Sequence, residues 1–226
     1  MDTKTIVIIP ARGGSKRLPN KNILELGSIP LLVHSIIYAK ANANYIDAIY
    51  VSTDDETIKN IALQYGAKVI DRPEELSGEF EPTVTAIQQV LETIDFEVEN
   101  VMVLQPTNPL RPKNLIKDCI EKFHSEGVDS LFTVSRNHHK LGKIIKDQFL
   151  PFNYEIGQRS QDLEPLYFEN GLLYITKAKC IKEGTIISEK AFPYEVNHIF
   201  ATIDIDTQED FDYAEYLYKK YLIPNL

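Results

Sequence analysis

Short β-branched runs alternate with amphipathic helical patterns along most of this chain, and that alternation restricts its fold more than any other feature. Ile6–Ile9, Ala48–Ser52, Lys68–Ile70, Val101–Gln105 and Ser130–Val134 have strand length and are bounded by turn residues. Between them, Ile58, Ile61, Ala62 and Tyr65 recur at helical spacing ahead of Gly66. Val84, Ile87, Gln88 and Leu91 mark a second helix, and Leu115, Cys119, Ile120 and Phe123 a third, closed by Gly127. Strands separated by helices pair in parallel, so the pattern predicts an α/β protein with a largely parallel sheet covered on both faces. At 226 residues and 43% hydrophobic content the chain can bury a full core, and one domain over residues 1–226 is expected.

After about Arg136 the alternation breaks. Lys143–Phe152 carries apolar side chains with no helix to cover them, which predicts an arm packed on a second subunit and hence a homodimer. Regular structure is expected again at Leu172–Thr176 and Phe200–Ile205, followed by a last helix with Phe211, Ala214, Tyr218 and Tyr221 on one face.

The first strand empties into Arg12-Gly13-Gly14-Ser15-Lys16-Arg17-Leu18-Pro19-Asn20-Lys21-Asn22, with two adjacent glycines, four cations and no acid. Glycines at positive φ could turn successive N–H groups toward one point while the cations pair with an anion. The bland alternative is an exposed basic turn. The spacing fits neither G-x-x-x-x-G-K-[ST] nor G-x-G-x-x-G, which directs the expectation toward a phosphorylated substrate rather than a P-loop ATP or a nicotinamide. With 24 Lys+Arg against 33 Asp+Glu the net charge is −9. Such a chain repels a nucleic-acid backbone, whereas a local cationic pocket still attracts a small anion. The loop would lie beyond the carboxyl end of its strand, where ligands of parallel sheets bind.

Cys119 and Cys180 lie far apart and outside any C-x-x-C pair, which excludes a disulfide framework and fits a reducing cytoplasm. No segment approaches the ~20 apolar residues of a membrane span, so a soluble, cytoplasmic protein is expected.

Asp204-Ile205-Asp206 closes the run read as the last strand. Residues i and i+2 share a face, so both carboxylates would point one way and offer a hard-oxygen site for Mg²⁺. Alternatively Asp206 caps the next helix, where Thr207 and Asp210 resemble a capping box. Ser52-Thr53-Asp54-Asp55 reads as helix capping rather than an acidic site. Three prolines stiffen Gln105-Pro106-Thr107-Asn108-Pro109-Leu110-Arg111-Pro112, a strand exit that would present polar side chains to a ligand. His138-His139 lacks partners at metal spacing. Tyr167, Phe168, Tyr174, Phe192 and Tyr194 read as core, with a few available to wall a sugar pocket.

Taken in order, Ile9-Pro10-Ala11-Arg12-Gly13-Gly14-Ser15-Lys16, Leu104-Gln105-Pro106-Thr107-Asn108-Pro109-Leu110-Arg111, Glu169-Asn170-Gly171 and Ile203-Asp204-Ile205-Asp206 resemble the acylneuraminate cytidylyltransferases, the CMP-sialic acid synthetases and their bacterial relatives for legionaminic and related nine-carbon sugar acids. The resemblance runs nearly end to end. It implies a three-layer αβα nucleotidyltransferase fold, a dimer whose arm (about 137–168) completes the neighbouring sugar pocket, and transfer of CMP from CTP to a sugar acid with release of pyrophosphate. Carried over by residue, Arg12, Ser15 and Lys21 would hold the triphosphate, Asn22 and Arg72 would read cytosine, Gln105 would contact the sugar acid, and Asp204 and Asp206 would bind Mg²⁺. Arg12, Lys21, Gln105 and Asp206 would then carry the chemistry. Tyr174 and Phe192 resemble acyl-pocket side chains, and Lys143 a lysine facing the sugar carboxylate. The chain departs from the family at Arg159-Ser160-Gln161-Asp162-Leu163, where relatives often place two arginines; Arg159 or Lys143 would compensate. Within the resemblance, another base, an eight-carbon acid or a noncatalytic nucleotide-binding domain remain as alternatives.

Overall fold

The computed structural model describes residues 4–223. In chain order the elements are β1 (Thr5–Pro10), β2 (Glu25–Leu26), β3 (Ile29–Pro30), α1 (Leu31–Ala41), β4 (Ala48–Thr53), α2 (Glu56–Gln64), β5 (Lys68–Asp71), α3 (Thr83–Thr93), β6 (Asn100–Val103), α4 (Leu115–Glu126), β7 (Ser130–Asn137), β8 (Gly142–Ile145), β9 (Gln148–Pro151), β10 (Leu166–Lys177), α5 (Ala178–Lys182), β11 (Ala191–Glu195) and α6 (Gln208–Tyr221). Seven strands form one sheet in the order β11-β7-β10-β6-β1-β4-β5. Only β10 runs against its neighbours; β1 pairs in parallel with both β4 and β6.

The continuous apolar run of β1 is explained by what covers it. Ile6, Val7, Ile8 and Ile9 are all fully buried because successive residues feed opposite cores. Val7 and Ile9 pack with Leu32, Val33 and Ile36 of α1 and Leu115 and Ile116 of α4, whereas Ile6 and Ile8 pack with Ile87 and Val90 of α3 and Ile181 of α5. Helices therefore lie on both faces, as the alternation predicts. A third cluster joins Leu18 of the basic loop to Ile203, Ile205 and α6 residues Ala214 and Leu217, and it fixes the two loops that matter most below.

Helix α1 escapes the sequence pattern because it is apolar nearly all round, with Leu31, Leu32, Val33, Ser35, Ile36 and Ala39 all buried. The strand expected at Phe200–Ile205 is absent. Ile199–Thr202 forms a single 3₁₀ turn, with the His198 ring accepting from the Phe200 N–H, and the chain then runs extended without joining the sheet. Its one long-range backbone bond there is Ile205 N–H to the Thr107 carbonyl, 2.9 Å. The excursion after Arg136 is a β8–β9 hairpin turning at Lys146 and Asp147, both at positive φ. Ile144 (78%), Phe152 (66%) and Ile156 (86%) stand exposed around it. Among the described residues no helix is long and apolar enough to cross a membrane.

Candidate active site

The basic loop leaves β1 beside the proline-rich exit of β6, at the carboxyl ends of two paired parallel strands. There it borders a cavity of about 430 Å³ whose lining holds five cations, Arg12, Lys16, Arg17, Lys21 and Arg72, against three carboxylates, Glu79, Glu81 and Asp206. In a chain of net charge −9 this local excess of positive charge is built for an anion.

Each cation is positioned from elsewhere in the chain. Arg12 Nη1 donates to the Gly78 carbonyl at 2.6 Å, Lys16 pairs with Glu79, and Arg17 and Lys21 both bind the Asp206 carboxylate at 2.6 and 2.8 Å. Asn22, buried in the 3₁₀ turn Lys21–Ile23, donates to the Arg12 carbonyl at 2.8 Å and closes the loop on itself. Arg72 is buried behind the loop and donates to the Ser52 hydroxyl and carbonyl at 3.0 and 2.8 Å. Burial lowers its pKa and nearby Arg12 adds to that, while Asp54 pulls the other way. Ser15 also lines the cavity.

The glycines act differently from the expectation. Neither Gly13 nor Gly14 is among the positive-φ residues. Gly13 is required by close approach, since a Cβ there would meet the Asp55 Cβ at 2.8 Å, and its N–H donates to Asp54 Oδ1 at 2.9 Å. Asp55 caps α2 by accepting from the Ile58 N–H, as Ser52–Asp55 predicts, while Asp54 braces the loop.

Asp204 and Asp206 do share a face, because Ile203 and Ile205 are buried on the other, but they do so from an extended segment rather than a strand. Desolvation pushes the Asp204 carboxyl above its usual range. Thr107 pulls it back and the Asp206 charge raises it further; the residue is exposed, so solvent tempers these effects. Helix capping belongs to neither aspartate. Thr207 is the N-cap of α6 in a full capping box with Asp210, whose carboxylate also accepts from the Asp206 N–H at 3.0 Å.

The stiff segment after β6 divides its polar groups. Gln105 and Thr107 line the cavity, as expected of a strand exit that presents polar side chains to a ligand, but Asn108 and Arg111 turn inward. Asn108 Nδ2 donates to the Asn170 carbonyl at 3.1 Å and the Ile203 carbonyl at 2.6 Å, so one buried amide ties together the segments bearing Gln105, Glu169 and Asp204.

A second cavity of about 410 Å³ adjoins the first and shares Pro82, Thr83 and Gln105 with it; Tyr174 and Glu169 lie in its wall. Phe192 is not brought there. It sits on the far edge strand β11, half-buried against the core, with Lys122 Nζ 5.0 Å from its ring centroid. Lys143 and Arg159 line neither cavity, because the hairpin arm and the turn after it stand off the sheet; Arg159 is held by Asp162 at 2.7 Å. Tyr167 and Phe168 are exposed rather than core. Glu79 lies in no motif of the sequence; Asp54, Asn108 and Glu169 lie in quoted motifs, but the bracing and tethering roles of Asp54 and Asn108 and the cavity position of Glu169 depend on partners distant in the chain.

Known proteins align with the chain over nearly its whole length. It is 34% identical to the pseudaminic acid cytidylyltransferase of Campylobacter jejuni over 225 residues, covering 96% of this chain and 97% of that protein. Similarity to the CMP-N,N'-diacetyllegionaminic acid synthase of Legionella pneumophila is equal at 34%, covering 95% and 96%. To the N-acylneuraminate cytidylyltransferase of Streptococcus agalactiae it is also 34% identical, but it spans 52% of that longer protein. The structure of CMP:2-keto-3-deoxy-manno-octonic acid synthetase complexed with CTP shares the fold, with a TM-score of 0.72 at 16% identity over 96% of this chain and 99% of that one. Residues 6–224 match the cytidylyltransferase family, and the chain belongs to it.

Proposed function

We propose that this protein transfers CMP from CTP to a nine-carbon 2-keto sugar acid and releases pyrophosphate. The observation that carries this reading is the pairing of a cation-rich cavity with a second, less charged cavity through Gln105. Relatives that cover 95% or more of the chain are named as a pseudaminic acid cytidylyltransferase and a CMP-N,N'-diacetyllegionaminic acid synthase.

On this reading Arg12, Ser15 and Lys21 hold the triphosphate, and Asn22 and Arg72 approach cytosine from the buried side of the loop. Gln105, at the junction, orients the sugar acid so that its anomeric hydroxyl meets the α-phosphorus in line. Catalysis rests on positioning and charge neutralisation. Asp204 and Asp206 suit Mg²⁺: they are adjoining hard-oxygen donors, and Asp204 has no ion-pair partner among the described residues. The metal would supply charge neutralisation at the phosphate oxygens and a lower pKa for the attacking hydroxyl. Arg17 and Lys21, which bind Asp206 here, place two cationic groups beside the carboxylate that would hold the metal, within the cavity that would take the phosphates.

The protein works in this reading as a cytoplasmic homodimer, one nucleotidyltransferase domain per chain with an arm at about 137–168. Exposed Ile144, Phe149 and Phe152 supply the apolar face that a partner would cover. Replacing Phe149 and Phe152 with serine is expected to give monomers with weakened turnover, read by sedimentation and initial rates. A wild-type chain that sediments as a monomer at micromolar concentration overturns the dimer.

Pyrophosphate release from CTP and a panel of sugar acids tests the activity, with GTP as the control nucleotide. Arg12→Ala is expected to raise the KM for CTP and lower kcat/KM by roughly 10- to 100-fold, the loss of a charge-assisted contact of about 1.5–3 kcal/mol. Unchanged CTP kinetics in a folded Arg12→Ala protein removes the loop from the site.

A further inference from the structure

The second cavity has a property that the sugar acid's own charge makes informative. Its lining contains one carboxylate, Glu169, and no lysine, arginine or histidine. The carboxylate end of an acidic sugar is repelled from such a wall, whereas the cation-rich cavity next door attracts it. The first turn of α3 lies between the two, where Pro82 and Thr83 line both cavities and no side chain caps the helix; the Thr85 N–H is taken by the Pro82 carbonyl, and the Thr83 and Val84 N–H groups favour anionic atoms at the junction. What enters the second cavity is therefore the uncharged, hydroxyl- and amide-bearing end of the molecule.

Glu169 reaches that cavity through a break in β10. In an unbroken strand, residues 169 and 174 would project from opposite faces. Here the register jumps between Glu169, opposite Val134, and Tyr174, opposite Phe132, with Gly171 at φ +72° in the bulge. The extra residues are held in place by side chains: Leu172 N–H donates to Asn170 Oδ1 at 3.2 Å, Leu173 N–H to Thr133 Oγ1 at 3.1 Å, and Asn170 Nδ2 to Ser135 Oγ at 2.9 Å. The bulge puts Glu169 and Tyr174 on one side, with the Tyr174 hydroxyl 3.4 Å from Glu169 Oε2. That bond is long, and Glu169 has no ion-pair partner among the described residues, so its remaining acceptor capacity faces the cavity. Burial, reinforced by Glu169, pushes the Tyr174 phenol up to about 12, which keeps it a hydrogen-bond donor at neutral pH.

We propose that Glu169 is a specificity-determining residue that accepts hydrogen bonds from N–H and O–H groups on the uncharged end of the sugar acid, with the Tyr174 hydroxyl beside it. The inference rests on the function proposed above. A site built to hydrogen-bond such groups rejects analogues that lack them far more strongly than an apolar pocket rejects a missing methylene.

The test compares wild type, Glu169→Gln, Glu169→Ala and Tyr174→Phe on N-acetylneuraminic, N,N'-diacetyllegionaminic, pseudaminic and 2-keto-3-deoxy-manno-octonic acids with CTP. Glu169→Gln is expected to raise the KM for the preferred acid by roughly tenfold, with the KM for CTP and the melting temperature near wild type. The preference for that acid over 2-keto-3-deoxy-manno-octonic acid should shrink by a similar factor, and Tyr174→Phe should shift it less in the same direction. Wild-type selectivity and sugar KM in both Glu169 variants overturn the proposal while leaving the enzyme reading intact. A wild-type protein that releases no pyrophosphate with any of the four acids overturns both.

Discussion

Asp204→Asn is expected to melt near the wild-type temperature and to turn over about 10²–10³ times more slowly, a loss of roughly 2.7–4 kcal/mol of transition-state stabilisation. The folded state has little use for that carboxylate. Ile203 and Ile205 hold the segment through their burial, Ile205 N–H bonds to Thr107, and α6 is capped by Thr207 and Asp210. What the substitution removes is charge beside Asp206, where the proposed cation would neutralise phosphate. Thr207→Ala gives the opposite signature: loss of a cap worth ~1 kcal/mol, a melting point lower by about 2–4 °C, and turnover nearly unchanged. Steady-state kinetics and thermal melts of the two variants together distinguish a metal ligand from a helix-capping segment. Near-normal turnover in Asp204→Asn eliminates the metal site, since asparagine keeps the shape and can still accept from Thr107, so that only the charge is lost.

The contrast between these neighbouring residues also shows how far the sequence could be read. That Asp204 and Asp206 face one way was legible, because Ile203 and Ile205 alternate with them whether or not the segment belongs to a sheet. That it forms no strand was not legible, since strand pairing depends on a free edge, and the segment lies instead over the Thr107 loop. Helices α2, α3 and α4 could be read from a one-sided stripe. The stripe of α1 vanishes where Ser35 and five apolar residues are buried around its circumference.

In the site, the cations were visible as a local departure from an acidic background, but their partners were not. Gly78 lies 66 residues from Arg12 and Asp206 lies 185 from Lys21, distances over which composition carries no pairing information. Gly13 is explained by close approach to Asp55, which leaves the same mark in a sequence as positive φ, whereas nothing in the structure requires glycine at Gly14. Glu169 was hidden more deeply. Period-2 reasoning assigns it to the face opposite Tyr174, and only a bulge stabilised by Asn170 and Thr133 reverses that assignment.

Arg111 is the clearest case of a polar residue that supports the site from beneath rather than touching a ligand, and Arg111→Met is expected to lower the melting temperature by about 4–12 °C. The guanidinium is buried, with Nε 2.8 Å from the Leu172 carbonyl, Nη2 2.8 Å from the Gln105 carbonyl and Nη1 3.1 Å from Ser35 Oγ. No carboxylate pairs with it among the described residues; the Tyr38 ring lies 5.7 Å away. Burial lowers its pKa to about 10, which still leaves it charged at neutral pH. Methionine fills similar volume but strands acceptors at about 1–3 kcal/mol each. Removing the desolvation cost of the cation offsets part of that, leaving a net loss of about 2–3 kcal/mol. Because one of the stranded acceptors is the Gln105 carbonyl, the variant should also show a raised KM for the sugar acid at temperatures where it is fully folded. Arg111→Lys should not restore the wild type, since an ammonium cannot satisfy the fork of three acceptors at once. Calorimetry and sugar-acid kinetics check both halves. An Arg111→Met protein that melts within about 2 °C of wild type would show that these three bonds contribute nothing net to the fold.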